Sequence, residues 1–374
     1  MTTIDQFRDT FLEEPGYLNY ASIGPVSATV RDELRAEYDA LTRMRFGAGE
    51  RTRAHDDRLA DAVSVMTGHS RANIIAQPNT STGLLRVLFG LTGHILMSRD
   101  EFPSLPVAAV RAQSALDRLS ITWIDGADGR VSPDVLIQAL NADITAVAVT
   151  LVDARTGYRA DLSAIRDVIG DRLLIVDAIQ GAGVIDADYS AADVVVTGGQ
   201  KWLRAGWGTG YLSFSDRALE RLDPVISGYT GTAEYEPWGT VPDAARGSAA
   251  AFTVAGPDYI AEAALAAAIE EVTSVGIGRI EAAVLARADE VIEMLDAVEL
   301  PIISSRERDE QSGIVVVRPV EGKLGSLGAA LHNTGLTTTS RQGTVRFSIH
   351  AGTIDSTLRM LKQALLVYRS SADT

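Results

Sequence analysis

Two side chains of complementary chemistry follow successive β-branched runs in this chain. Asp177 closes RLLIVD, and Lys201 comes after DVVVTG, 24 residues further on. Ligands of open parallel sheets bind beyond the carboxyl ends of the strands, so both residues are expected at one pocket. A carboxylate and a lysine sharing a pocket are the pair that pyridoxal phosphate needs. The amine forms an imine with the cofactor aldehyde, and the acid keeps the pyridine nitrogen protonated. Arginine cannot replace that amine, because a guanidinium neither attacks nor loses its proton near neutral pH. Lys201, Lys323 and Lys362 are the three lysines among 34 basic residues, so a lysine falls at a given position here by chance only about 1% of the time. Singly, each residue has a plainer explanation: an Asp after a strand commonly makes a turn, and a lone lysine is commonly solvated. Their order and placement together favour the pocket.

Three further groups suit the same chemistry. In QPNTSTGLL, Asn79, Ser81, Thr82 and Gly83 stand between a strand and a helix. A helix start leaves N–H groups free for a phosphate, although Ser and Thr are good caps without any ligand. Arg346 in TVRFSIH and Arg155 in LVDARTGYRADL can each clamp a carboxylate by two hydrogen bonds.

Placing these residues takes a regular scaffold. Short apolar runs are expected as strands at 73–77, 94–98, 120–124, 144–152, 172–177, 193–198 and 209–214, separated by helical stretches. That alternation reads as a mostly parallel, helix-covered α/β sheet. After Pro257 the texture changes to long helices, with strands expected at 313–317 and 344–350 and a last helix at 354–368. The expected division is a large domain at 19–255 and a smaller α+β domain built from 1–18 and 256–374. The stretch from Asp223 to Gly256 reads as loop-rich and substrate-facing.

Composition narrows the partners. The chain has 374 residues, a net charge of −15 and no cysteine. That charge repels a nucleic-acid backbone or an anionic membrane surface. No apolar run reaches the ~18 residues of a membrane span, and MTTIDQFRDTFLEEPG lacks the apolar core of a signal peptide. A cytoplasmic protein without disulfides is expected, and no metal site is expected.

The segments YLNYASIGPV, QPNTSTGL, SRDEFPS, ARTGYRADL, IVDAIQGAGV, ADVVVTGGQKWLRAGWGTGYLSFS and TVRFSIHAGTIDSTLRML resemble the class V aminotransferase superfamily of fold type I pyridoxal phosphate enzymes. The resemblance implies a mostly parallel sheet with helices on both faces, and pyridoxal 5'-phosphate as cofactor. It implies that Lys201 forms the covalent imine and that Asp177 pairs with the pyridinium nitrogen. Gln180 would meet the phenolic oxygen, and Ser81 and Thr82 the phosphate. Arg346 matches the position that binds the substrate α-carboxylate, with Arg155 and Asn19 as further substrate-facing residues. Phe102 stands where relatives often stack a histidine on the ring. Gly198 and Gln200 replace a Ser or Thr and a His before the lysine. A homodimer is implied, with loops such as 226–240 near the partner's cofactor.

The absence of cysteine excludes a desulfurase that works through a nucleophilic thiol. An amino acid is the expected substrate, with Lys201 as the base at its α-carbon. Transamination needs no further residue and leads. β-Elimination, including C–S cleavage, comes second. Epimerisation needs an acid on the far face, for which Tyr20, Tyr229 and His350 are candidates. The reading of another class is a non-catalytic small-molecule-binding protein, although no GxGxxG follows the first strand.

Overall fold

The computed structural model describes residues 2–125, 128–234, 237–239, 241–245 and 247–372. The seven apolar runs form one sheet: β1 (Ile74–Ala76), β2 (Gly93–Ser98), β3 (Leu119–Ile124), β4 (Ile144–Thr150), β5 (Leu173–Asp177), β6 (Val194–Gly198) and β7 (Gly210–Phe214). Their order across the sheet is β1-β7-β6-β5-β4-β2-β3, with β7 antiparallel to both neighbours and the other pairings parallel. β4 stops at Thr150, two residues before its expected end. Beyond it Asp153 gathers a turn, accepting from the amides of Arg155 (2.9 Å) and Thr156 (2.7 Å).

The central strands are apolar at nearly every position because both faces are covered. In β5 and β6, Leu174, Val176 and Val195 enter one core, while Leu173, Ile175, Val194 and Val196 enter the other. Before the sheet come α1 (Ile4–Arg8), α2 (Ala28–Arg43), α3 (Ala48–Arg53) and α4 (His55–Thr67). Within it lie α5 (Thr80–Gly90), α6 (Ser104–Leu116), α7 (Pro133–Ala139), α8 (Leu162–Ile169) and α9 (Asp216–Arg221). Leu84 and Val87 of α5, Ala109 of α6 and Ala218 of α9 fill one face, and Leu59 of α4, Leu136 of α7 and Ile165 of α8 fill the other. Helices on both faces agree with the resemblance.

Four more helices follow: α10 (Tyr259–Val275), α11 (Ile277–Asp296), α12 (Leu324–Asn333) and α13 (Asp355–Ala372). Although α10 lies beyond residue 255, its Ala264, Leu265, Ile269 and Val272 pack into the sheet core. A separate core starts with Ala288 and Val291 of α11 and takes in Leu331 of α12 and Leu361 and Leu365 of α13. It covers one face of a small antiparallel sheet, β8 (Ile314–Val317), β9 (Thr339–Arg341) and β10 (Thr344–Ser348), in the order β8-β10-β9. The N-terminal segment is shared between the two cores: Leu18 enters the small one, Phe7 and Tyr20 the large one.

Two elements have weak sequence signals. β9 is three residues with no buried member, and α12 holds two glycines in LGSLGAALHN. No helix among the described residues is long and apolar enough to cross a membrane.

Candidate active site

β5 and β6 are adjacent and parallel, so their carboxyl ends open on the same edge. Asp177 is the last residue of β5, and Lys201 stands three residues past β6. Both line one cleft of about 1090 Å³. Thr150, at the end of β4, pairs in register with Asp177, and Glu101, just past β2, reaches the same edge. The lysine loop is pinned from several sides. Gly199 donates its amide to the Thr209 carbonyl (2.9 Å), and the Gly24 amide donates to the Gln200 carbonyl (2.8 Å). A Cβ on Gly24 would stand 1.9 Å from the Lys201 carbonyl oxygen, so a side chain there would push the loop away.

Arg204 completes that anchorage. It is fully buried, donates to the Thr10 carbonyl (2.6 Å) and lies 3.4 Å over the Phe11 ring. It thereby ties the N-terminal segment to the lysine loop. It is one of 31 arginines, and nothing in the local sequence marks it; only the packing does.

The edge is dry, and its charges are tuned accordingly. Asp177 is 1% exposed; its Oδ1 accepts from the Ile179 amide (3.0 Å), while Oδ2 has no hydrogen-bond partner. Burial pushes its carboxyl up to about 6, and Lys201 pulls the other way. Burial pushes the Lys201 amine down to about 8; Asp177 opposes this and Arg346 adds to it. Glu101 is pushed up to about 8 by burial, against hydrogen bonds from the Thr150 hydroxyl and amide. At pH 7 Asp177 is therefore mostly charged and Glu101 mostly neutral, so the two do not repel.

This donor and acceptor set fits pyridoxal phosphate. A buried carboxylate oxygen without a partner is costly unless an N–H meets it, as a pyridinium nitrogen would. Gln180 donates through Nε2 to the Ala21 carbonyl (3.0 Å) and accepts at Oε1 from the Trp202 indole (2.7 Å), leaving one amide hydrogen for a ligand. The Phe102 ring, 40% exposed, has its centroid 5.5 Å from Lys201 Nζ, forming a flat wall beside the amine. At the start of α5 the sequence expectation needs adjustment. Thr82 gives its amide (2.9 Å) and hydroxyl (3.1 Å) to the capping Asn79 side chain and does not line the cleft. Thr80 and Ser81 line it instead, and the Thr80 hydroxyl is buried without a partner. In the sequence TST, the turn of the helix and the Asn79 cap decide which hydroxyl faces the cleft.

The aminotransferase class-V family model matches residues 24–367. The chain belongs to that family. Its members are pyridoxal-phosphate-dependent enzymes, and pyridoxal 5'-phosphate is the cofactor of this one. A kynureninase of Deinococcus radiodurans is 28% identical over 254 residues, 64% of this chain and 59% of the relative. This chain thus matches less than two thirds of that relative's length. A cysteine desulfurase from Thermococcus onnurineus NA1 has a TM-score of 0.85 at 19% identity, covering 100% of this chain and 99% of that one. A cystine C–S lyase in complex with its product cysteine persulfide has a TM-score of 0.84 at 20% identity, covering 95% and 98%. These structural likenesses establish the class-V fold.

The residues expected at a class-V substrate separate into groups. Arg346 lines the cleft, donating to the Ala154 carbonyl and the Ser22 hydroxyl (both 2.9 Å), while its buried Nε has no partner. Burial, with Arg341 nearby, pushes its guanidinium down to about 10, which leaves it cationic at neutral pH. Arg155 also lines the cleft but pairs with Asp100 at 3.0 Å. Asn19 does not line it; it accepts from the Thr339 hydroxyl (2.7 Å), and Thr339 faces the cleft.

None of the three far-face candidates lines the cleft. The Tyr20 hydroxyl donates to Glu13, and burial, with Glu13 beside it, pushes its pKa well above the ordinary tyrosine value. His350 is buried between the Trp202 carbonyl (3.1 Å) and the Ala351 amide (2.8 Å), and burial pushes it down to about 3. Tyr229 is solvent-exposed, and of its loop, residues 235, 236 and 240 lie outside the described residues. Away from the cleft, Glu33, Glu37 and His55 bring ligand atoms within 4.8 Å of one another. Glu37 pairs with His55 and Glu33 with Arg58, which accounts for the cluster as an ion-pair network.

Proposed function

We propose that the protein acts on an α-amino acid, with Lys201 carrying the proton at the α-carbon, and that the reaction is a transamination. The observation that carries this reading is the partnerless Asp177 Oδ2 facing the same cleft as an amine that burial has made less basic. The bound cofactor supplies an aldehyde that links to amines and a ring that accepts an electron pair. Asp177 keeps that ring nitrogen protonated, and the neutral Glu101 leaves its charge unopposed. Arg346, held in plane by Ala154 and Ser22, takes the α-carboxylate. Phe102 walls the cleft beside the amine that would face the α-hydrogen. With an amine near 8, a useful fraction is neutral at physiological pH and would remove that proton, and the protonated amine would then deliver it, on the same side, to the carbon that carried the cofactor's aldehyde.

A one-base scheme favours transamination over epimerisation, whose second acid no candidate supplies at the cleft. β-Elimination is the second reading. It draws on the fold shared with a cystine C–S lyase. Without cysteine in the chain, sulfur transfer through a protein thiol has no acceptor.

The experiment is a single-turnover survey of amino acids with the cofactor-loaded protein. Stoichiometric 2-oxo acid without ammonia supports transamination. Release of ammonia together with a 2-oxo acid replaces it with elimination. Failure of every amino acid to exchange its α-proton with solvent deuterium removes the reading and favours a binding protein. A homodimer is part of the proposal: Phe46, Trp207, Trp238 and Val241 are strongly exposed apolar side chains that a second copy can cover. Sedimentation equilibrium at the monomer mass would remove that part.

A further inference from the structure

The small sheet shows its core one chemistry and the cleft another. Val315, Val317, Val345 and Phe347 enter the small core. Directly paired residues share a sheet face, as do residues two apart on one strand. Thr344 pairs with Arg341 across β9, and the register Val345↔Val317 sets it opposite Arg318, just past β8. Arg318, Thr344 and Arg341 therefore form one row on the face away from the core. Arg346 and its pair partner Thr339 lie two residues along on the same face. All five line the cleft that holds Lys201.

The row lacks counter-charges. The guanidiniums of Arg318 and Arg341 have no hydrogen bond or ion pair to any described residue. Across the cleft the opposite holds, since Arg99 closes on Asp125 and Arg155 on Asp100. None of the described acids that share the cleft is ion-paired to Arg318 or Arg341. Asp153 is folded into its own turn, Glu310 accepts from Ser305, and neither Glu310 nor Asp128 ion-pairs with the row. Like charges on one sheet face repel. In a chain with 49 acidic residues against 34 basic ones, a cationic row left open beside a substrate clamp points to a ligand anion.

We infer that Arg318 and Arg341 form the subsite for a second anionic group on the substrate, so that the protein acts on amino acids whose side chain ends in a carboxylate or a phosphate. The inference rests on the proposed function, which places the α-carboxylate at Arg346. The planar forks of the two arginines suit either oxyanion by paired N–H bonds, and the row gives the distal group a fixed direction from the α-carbon.

The test uses ligands that cannot react. Cofactor-loaded protein is titrated calorimetrically with glutarate, adipate and 3-phosphonopropionate, and with butyrate and hexanoate as single-charge controls. At least one doubly charged ligand should bind tenfold or more tightly than its control, with the advantage falling as salt rises. Which of the carboxylate and phosphonate arms leads identifies the distal group. The advantage should collapse in the double variant Arg318→Gln/Arg341→Gln and survive in part in Arg341→Lys. Both residues are exposed, and thermal melts verify that the variants fold. Equal affinities, or an advantage unchanged in the double variant, overturn the inference. Borohydride fixation of the cofactor to Lys201 is scored in parallel. Fixation with equal affinities leaves the proposed function standing and removes the subsite. Arginine-dependent dianion binding without fixation keeps the subsite and removes the proposed function.

Discussion

The cleft has two walls built on different physical terms. The carboxyl edge of the large sheet holds Asp177, Glu101 and Lys201, and burial displaces all three toward their neutral forms. The small sheet contributes Arg318, Arg341 and Arg346, of which the first two are exposed and have no hydrogen-bond or ion-pair partner for their guanidiniums among the described residues. Low dielectric makes a charge expensive and its proton easily moved, which suits chemistry. Solvated guanidiniums stay charged at all working pH values, which suits recognition. On the proposed reading this is a division of labour: the wall that would move protons is buried, and the wall that would select the substrate carries exposed arginines.

Substitutions on the dry wall should have the largest effects. Lys201→Ala should abolish borohydride fixation and slow α-proton exchange by roughly 10² to 10⁴, the usual contribution of a positioned base; deuterium exchange followed by NMR reads this directly. Asp177→Asn should preserve fixation yet lower kcat by about 10² to 10³, the scale of one preorganised electrostatic contact. If it leaves kcat within a factor of two, the dry wall is not electrostatically tuned for the cofactor. On the small-sheet wall, Arg346→Lys retains charge but loses the fork. KM for the amino acid should rise roughly 10- to 100-fold, corresponding to a charge-assisted hydrogen bond, with a smaller change in kcat.

Two pH experiments sharpen the contrast further. Capture of added cofactor by the apo protein should accelerate as pH rises through about 8, where Lys201 loses its proton, and not through the 10.5 of an ordinary lysine. Glu101 has the gentlest signature. Its folded value near 8 exceeds its ordinary 4.5, so the stability it contributes is complete below about 4.5 and lost as pH rises through 8. Glu101→Gln cannot ionise, so the apo variant should lose less melting temperature between pH 6 and 9 than the parent. A parallel decline in both would show that this carboxyl does not hold its proton at neutrality.

Much of this arrangement could be read from the chain because it depends on local pattern. Seven apolar runs mark the large sheet since strands buried on both faces must be apolar throughout. Asp177, Gln180 and Lys201 stand out because strand ends fix where they emerge. Thr82 and Thr80 exchanged places for a reason the pattern does not carry: a helix start rotates by 100° per residue, and the Asn79 cap selects which hydroxyl turns inward. Arg155 lost its freedom to Asp100, which lies 55 residues away. His350 and Tyr20 looked like proton donors and proved to be buried packing groups.

What the amino-acid order determined alone was the class of fold, the cofactor chemistry and the edge at which that chemistry sits, because strand periodicity and the scarcity of lysine are local properties. Tertiary structure decided which cations remain free and which carboxylates stay neutral. It also brought β9, a strand of three unremarkable residues, into the wall of the cleft that holds Lys201. Burial and charge pairing join residues far apart in the chain, and their energies exist only once those residues have met.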